Sequence, residues 1–239
     1  MTLNGKKIVV LGGTSGIGLA VAQAAAKEGA QVVVASSRKE SVDRALKVLP
    51  AGSEGQALDL TDEKQVKNLF DRVGGFDHLV FTAGENLQLA ELAKTPVADA
   101  QRFFTLRYWG AFTAVKYGSP HIGNGGSIVL TTGVAGARPH KGWGVAASIC
   151  SAMEGFTRAM AVELAPVRVN AVSPGVIRSP LWVGMTEADR EAMYRNVGAA
   201  LPVGRVGEVE DVAETYLYLM RNGFSTGQVI TVDGGTVLV

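Results

Sequence analysis

A three-layer, doubly wound α/β fold around a seven-stranded, mostly parallel sheet is what this sequence predicts. Short apolar runs alternate with amphipathic stretches along all 239 residues. The first apolar run ends in glycines that lead straight into a helical pattern. No linker, repeat or shift of composition divides the chain, so residues 1–239 read as a single domain, a length that buries one substantial core.

The elements follow in order. KKIVVLGG is a buried strand, and GIGLAVAQAAAKEG is a helix closed by Gly29 at a plausible C-cap. AQVVVAS repeats the strand signal and SVDRALKVL supplies the next amphipathic helix, which completes a βαβ unit. A strand near Gln56–Leu58, a helix from around Asp62, the strand HLVFTA, a long helix from about Pro96 to Lys116 and the strand SIVLTT come next. A helix from roughly Val145 to Leu164, the strand VRVNAVS, a variable segment from Val176 to Gly207, a helix beginning near Glu208 and the strand QVITVDG end the series. Strands this apolar are covered on both faces, which requires helices on each side and right-handed crossovers.

Composition narrows the function. Apolar residues make up 47% and charged residues 19%, with 30 glycines, as expected of an ordered protein rich in tight turns. The 23 basic and 22 acidic side chains are interspersed and sum to +1, so no stripe is available to neutralise nucleic-acid phosphates. Cys150 is the only cysteine, which rules out an internal disulfide and fits a reducing compartment. His78, His121 and His140 lie far apart without metal-ligand spacing, so no metal site is expected. MTLNGKKIVVLGG enters a strand without an export signal or membrane span, and a cytoplasmic location is expected.

Gly12, Gly16 and Gly18 sit between a strand and a helix, where glycines permit a tight turn and let a phosphate approach the helix N-terminus. Their spacing is GxxxGxG rather than GxGxxG, and the bland alternative is turn and helix packing alone. Thr14 and Ser15 add hydroxyls, with Ile17 between the last two glycines. At the end of the second strand, Ser36, Ser37 and Arg38 (or Lys39, one alignment step away) offer hydroxyls and positive charge suited to a ribose 2′-phosphate. NADP(H) is therefore preferred, with NAD(H) as the alternative. Asp59 is placed to accept from an adenine edge or to cap the next helix. Thr82, Ala83 and Gly84 end another strand with small residues that let a cofactor pass. These features put a Rossmann-type ligand site at the carboxyl ends of the strands.

LGGTSGIG at 11–18, Asp59–Leu60, TAG at 82–84, EGFTRAMAVELAPVRVNAVSPGVIRS at 154–179 and PVGRVGEVEDVAETYLYL with STGQVITVDGG between 202 and 235 together resemble the short-chain dehydrogenase/reductase family over nearly the whole length. The resemblance implies oxidoreductase activity on a carbonyl/alcohol substrate, with Pro174 and Gly175 beside the nicotinamide, Ile177 near its carboxamide and Ser179 toward the cofactor. It further implies a substrate lid over 179–207 and a homodimer or homotetramer built on the long helices and the C-terminal strand. The apolar faces of those helices read equally well as internal core.

The family places a tyrosine and a lysine four residues apart on one helix, so that the ammonium lowers the phenol pKa, plus a serine after the fifth strand and an asparagine in the preceding helix. Counted from the matching flanks, these positions hold Ala146, Cys150, Gly133 and Arg107. None of the five tyrosines has a lysine four residues later, so no shift of register restores the pair. Replacement groups are Arg107, which stabilises an oxyanion or grips a carboxylate, Thr132 at the strand end beside Thr131, and His140, whose ordinary pKa near 6.5 suits acid–base work. His140 reads alternatively as an exposed loop residue with Lys141, Cys150 as a buried neutral thiol, and Tyr108 and Trp143 as pocket lining or packing. Two functions remain open: an oxidoreductase with a non-standard site acting on a small-molecule substrate, or a catalytically inactive NADP(H)-binding sensor, regulatory or assembly protein with a regulatory partner protein.

Overall fold

A computed structural model describes residues 2–85 and 89–239. Seven parallel strands lie in the order β3-β2-β1-β4-β5-β6-β7. They are β1 (Lys7–Leu11), β2 (Gln31–Ser36), β3 (Glu54–Ala57), β4 (Phe76–Phe81), β5 (Ile122–Thr131), β6 (Arg168–Pro174) and β7 (Val229–Val232). The strand order reverses between β1 and β4, which opens the crevice where doubly wound sheets bind ligands. β1 is central, with Val9 opposite Val33 on one side and Leu79 on the other.

Helices cover both faces. α1 (Gly16–Lys27), α2 (Lys39–Val48) and α8 (Val209–Arg221) bury Ile8, Val10, Val34, Val129 and Val172. α3 (Glu63–Val73), α4 (Val97–Phe104), α5 (Ala111–Gly118) and α6 (Gly144–Glu163) lie on the other face, over Val9, Leu11, Leu79, Ile128 and Leu130. Alternate residues of one strand thus feed two separate cores, the reason β1, β2 and the second half of β5 are apolar runs rather than alternating. Each fully buried Val, Leu or Ile contributes roughly 1.5–3 kcal/mol. α7 (Glu187–Ala200) lies within the variable segment.

Local signals set the boundaries. Asp62 caps α3 by accepting from the backbone N–H groups of Lys64 and Gln65. Glu208 and Asp211 close a reciprocal capping box on α8, where Arg205 and the Glu208 N–H hold the Asp211 carboxyl down at about 2. Gly29 turns the chain out of α1 at φ +88.

Two elements differ from the sequence reading. The long helix expected over 96–116 is interrupted by a π-helical segment, Thr105–Gly110, between α4 and α5. β5 begins five residues earlier than the apolar run SIVLTT, at Ile122, and its pairing with β4 shifts register between Phe76 and His78. Glycines 123, 125 and 126 fill that polar beginning, so hydrophobic pattern gives no signal there.

Candidate active site

A cleft of about 850 Å³ runs along the carboxyl ends of the strands. At one end the turn between β1 and α1 is built by glycine. Gly12 has φ +86, and a Cβ there would lie 2.6 Å from the Ala83 nitrogen. A Cβ on Gly18 would collide with the Gly12 carbonyl and the Thr82 hydroxyl. The α1 N-terminus is thereby drawn against the end of β4. Its N-cap, Ser15, makes no side-chain cap bond, and Ser15 to Gly18 line the cleft, the setting in which helix N-terminal N–H groups can receive an anion.

Ser36, Ser37 and Arg38 line the same end. Lys39 is committed to Asp43 at 2.8 Å in an exposed i,i+4 pair, which leaves Arg38 as the cation of this wall. Asp59 and Leu60 also line it, and one Asp59 oxygen accepts from both the N–H and the hydroxyl of Thr61 at 2.8 and 2.7 Å.

Hydroxyls tie the strand ends together in the middle of the cleft. Thr82 donates to the Leu11 carbonyl, and Thr131 donates to the Phe81 carbonyl at 2.6 Å while sharing a 2.7 Å bond with the hydroxyl of Tyr216. Burial holds the Tyr216 phenol well above its ordinary pKa, so this tyrosine is a structural tie under the floor. Pro174 at the end of β6, with Gly175, Ile177 and Ser179 after it, also lines the cleft. A Cβ on Gly175 would lie 2.8 Å from the Asp233 Cα, so the loop after β7 is packed onto this turn. Pro180 approaches Gly16, bringing the start of the variable segment over the glycine turn. Arg178 anchors that segment, with two bonds to Glu191 at 2.7 and 2.9 Å, Glu208 at 3.4 Å, and its guanidinium over the Tyr194 ring.

The other end is made by α6, the π-helical segment and the loop after β4. Thr132, Gly133, Trp143, Ala146, Cys150 and Arg107 all line it. Thr132 donates to the Cys150 carbonyl at 3.0 Å. Burial pushes the Cys150 thiol up, against the opposing effects of Thr132 and the Arg107 charge. Arg107 lies against Gly84, where a Cβ would come within 2.7 Å of its guanidinium carbon. It donates to the Glu85 carbonyl. Burial lowers its pKa and the Glu85 carboxylate raises it, and a guanidinium starting above 12 stays charged at neutral pH.

The structure therefore gathers Arg107 and Thr132 with the cofactor-side residues into one cleft. His140 is not brought in: it is exposed, edge-on to Trp143 with ring centroids 4.7 Å apart, and does not line the cleft. Lys141 is equally exposed, 3.3 Å from Glu91. Glu85, Phe103, Leu106 and Met153 line the cleft without having been singled out in the sequence. Glu85 follows the TAG turn directly, and that adjacency was the available signal.

A glycine turn at a helix N-terminus, placed at the strand-order reversal of a parallel sheet, defines a dinucleotide-binding protein of the doubly wound class. The family described as Enoyl-(Acyl carrier protein) reductase matches residues 12–237. The short-chain dehydrogenase/reductase ATR9 of Stachybotrys chlorohalonatus is 40% identical over 253 residues, covering 99% of each chain. The chain belongs to the short-chain dehydrogenase/reductase family. A small-chain dehydrogenase solved in complex with NADPH is 39% identical, with a TM-score of 0.88 over 99% of this chain and 100% of that one. The MalC reductase/Diels-Alderase of Malbranchea aurantiaca is 31% identical, with a TM-score of 0.91 over 99% and 98%.

Proposed function

We propose that this protein is an NADP(H)-dependent oxidoreductase of a carbonyl/alcohol pair that works without the family's tyrosine and lysine. The observation that carries the reading is a single cleft with a backbone-built phosphate cradle at one end and the charged guanidinium of Arg107 at the other. The NADPH-bound relative supports the choice of cofactor, as does the free Arg38 beside Ser36 and Ser37. Gly12 to Gly18 would receive the pyrophosphate, Arg38 the 2′-phosphate, Asp59 and Leu60 the adenine, and Ala83, Gly84, Pro174, Gly175, Ile177 and Ser179 the nicotinamide half.

The bound cofactor supplies a hydride. The chain must then stabilise the oxygen on which negative charge grows. Counted from the flanking motifs, the usual donor position is the methyl group of Ala146 and the usual ammonium position is the thiol of Cys150. Arg107 supplies the positive charge from the neighbouring π-helical segment, and Thr132 holds the α6 backbone in place through the Cys150 carbonyl. Among the described residues no tyrosine lines this wall, and in this reading the proton comes from water. Residues 179–207 act as the lid, and the exposed Trp109 and Phe112 fit a homodimer or homotetramer contact. A cytoplasmic setting accords with the single unpaired cysteine.

The test is NADPH binding by calorimetry, followed by NADPH oxidation across a panel of ketones, aldehydes and keto acids. Turnover should fall about 100-fold in Arg107→Gln while NADPH affinity changes less than about threefold. Well-folded protein that binds neither NADPH nor NADH ends the proposal. Binding with background turnover on the whole panel replaces the enzyme by an NADP(H)-binding sensor or assembly protein.

A further inference from the structure

Resting on that reading, we infer that Arg107, the charge beside the reacting oxygen, also selects substrates that carry a carboxylate next to the reacting carbonyl on a largely apolar body. Three observations at one place carry it. Arg107 Nε and Glu85 Oε2 are both shut off from solvent, and among the described residues neither has a hydrogen-bond partner. They face each other at 3.8 Å, too long for a hydrogen bond. The arginine side chain is only 22% exposed, so its charge is poorly served by water.

Buried polar atoms are satisfied in the great majority of folded proteins, and an uncompensated buried ion costs several kcal/mol. A lone unsatisfied atom is a local cost. Arg107 Nε is closed off, but the arginine side chain is 22% exposed and lines the open cleft, where its charge can meet an anion. The Glu85 carboxylate meets this charge only as an ion pair at 3.8 Å, beyond hydrogen-bond distance, while its backbone carbonyl accepts from Arg107.

The ligand chemistry follows from the surroundings. Arg38 and Arg107 are the two cationic side chains among the residues that line the cleft, and Arg38 belongs to the β2 end. Phe103, Leu106, Trp143, Ile149, Met153 and Leu181 line the same cleft as Arg107. A planar, always-charged fork in an apolar surround matches a carboxylate bidentately, and the apolar wall matches an aromatic or aliphatic body. The π-helical segment has a local role: the widened turn carries Arg107 toward Gly84, where the absence of a Cβ makes room for the guanidinium.

The experiment compares cinnamate with cinnamamide, which share a shape and differ in charge, binding to the protein saturated with NADP⁺. Cinnamate should bind at least about tenfold tighter, the size expected of a charge-assisted bond. Arg107→Gln should bring the ratio to within about twofold of unity. Glu85→Gln removes the competing negative charge and should widen the ratio several-fold. That second variant, with the wild-type ratio, decides the matter if Arg107→Gln does not fold. Equal binding of acid and amide, no binding of either at millimolar concentration, or a preference that survives in Arg107→Gln overturns the inference. NADPH affinity is measured on each preparation. Loss of NADPH binding by the wild-type protein overturns the proposed function, whereas intact NADPH binding without an acid preference overturns only the anchor.

Discussion

The two ends of the cleft are built from different materials. At the β1–α1 end, recognition is made by backbone: positive φ at Gly12, missing Cβ atoms at Gly12 and Gly18, and uncapped N–H groups of α1. At the α6 end, chemistry belongs to side chains, and there an alanine, a thiol and an arginine stand together. A backbone cradle tolerates no partial change, because any residue other than glycine collides with its neighbours. A side-chain site can be rebuilt by moving one charge to a neighbouring helix. The difference teaches that the two ends of this cleft, one built by backbone and one by side chains, can be altered separately.

The largest effect that sharpens the contrast is at the cradle. Gly12→Ala places a Cβ 2.6 Å from the Ala83 nitrogen at a φ that costs an L-residue about 1–2 kcal/mol before the collision is counted. NADPH affinity should fall more than about 100-fold, with a lower melting temperature, since each factor of ten needs only about 1.4 kcal/mol. Calorimetry and a thermal melt check this together, and unchanged affinity would remove the cradle from the account.

The other end should behave differently under a two-residue change. Ala146→Tyr with Cys150→Lys supplies the family's pair, but it sets a second cation beside the buried charge of Arg107. Like charges in a poorly solvated wall destabilise by several kcal/mol. The double variant should melt several degrees below the wild type, and Arg107→Asn in the same background should recover most of the loss. If the double variant is as stable as the triple, Arg107 does not carry the charge of this site.

How much of this was legible follows the same division. Most strands and helices were readable, because the central strands are apolar runs whose two faces enter two cores, whereas β3, the exposed EGQA at the sheet edge, carries no such run. The β1–α1 turn was readable because positive φ writes itself as glycine. What stayed hidden depends on three-dimensional neighbours. Nothing in FFTLRYWGAF distinguishes a π-helical turn from an α-helix, yet that turn sets where Arg107 points. Glu85 carried no pattern of its own, and its importance comes from an arginine 22 positions later. Tyr216 looked like any helix aromatic, and only packing brings its hydroxyl to Thr131.

Away from the cleft, the sheet itself carries a pH-sensitive pair. His78 on β4 is buried, and its Nδ1 lies 2.9 Å from the Ser127 hydroxyl on β5. Burial pushes its pKa down to about 4, with Arg168 and Lys6 adding to the shift and Asp77 opposing it. Between about 4 and the unfolded value near 6.5, the unfolded chain binds more protons than the folded one, so stability falls as pH is lowered through that window. The loss amounts to roughly 3 kcal/mol over the window and should appear in denaturant unfolding at pH 7.5 against pH 4.5. His78→Asn, which keeps a polar partner for Ser127 without a titrating ring, should flatten the slope; an equally steep one excludes His78 as the cause.

Arg38 gives a smaller effect on the cradle side. Arg38→Ala should weaken NADPH binding by about ten- to fiftyfold and leave NADH binding nearly unchanged, because one charge-assisted bond is worth about 1.5–3 kcal/mol and is partly screened at an exposed site. Parallel titrations with the two cofactors read the ratio. Equal weakening of both would mean that Arg38 supports the turn rather than a 2′-phosphate.

The smallest effect belongs to His140, and it separates the cleft wall from its rim. Its intrinsic pKa made it the natural acid–base candidate in the sequence, but proton transfer requires the donor within hydrogen-bond reach of the reacting oxygen. His140 instead lies exposed against the edge of Trp143, outside the residues that line the cleft. His140→Ala should therefore change kcat by less than about twofold, because its remaining influence passes through ring packing on Trp143, a contact worth at most about 1 kcal/mol. A pH–rate profile measured on the same variant makes the test sharper. If a limb near pH 6.5 were present in the wild type and vanished in His140→Ala, the proton would come from the loop rather than from water, and the division between a bare charged wall and an inert rim would fail.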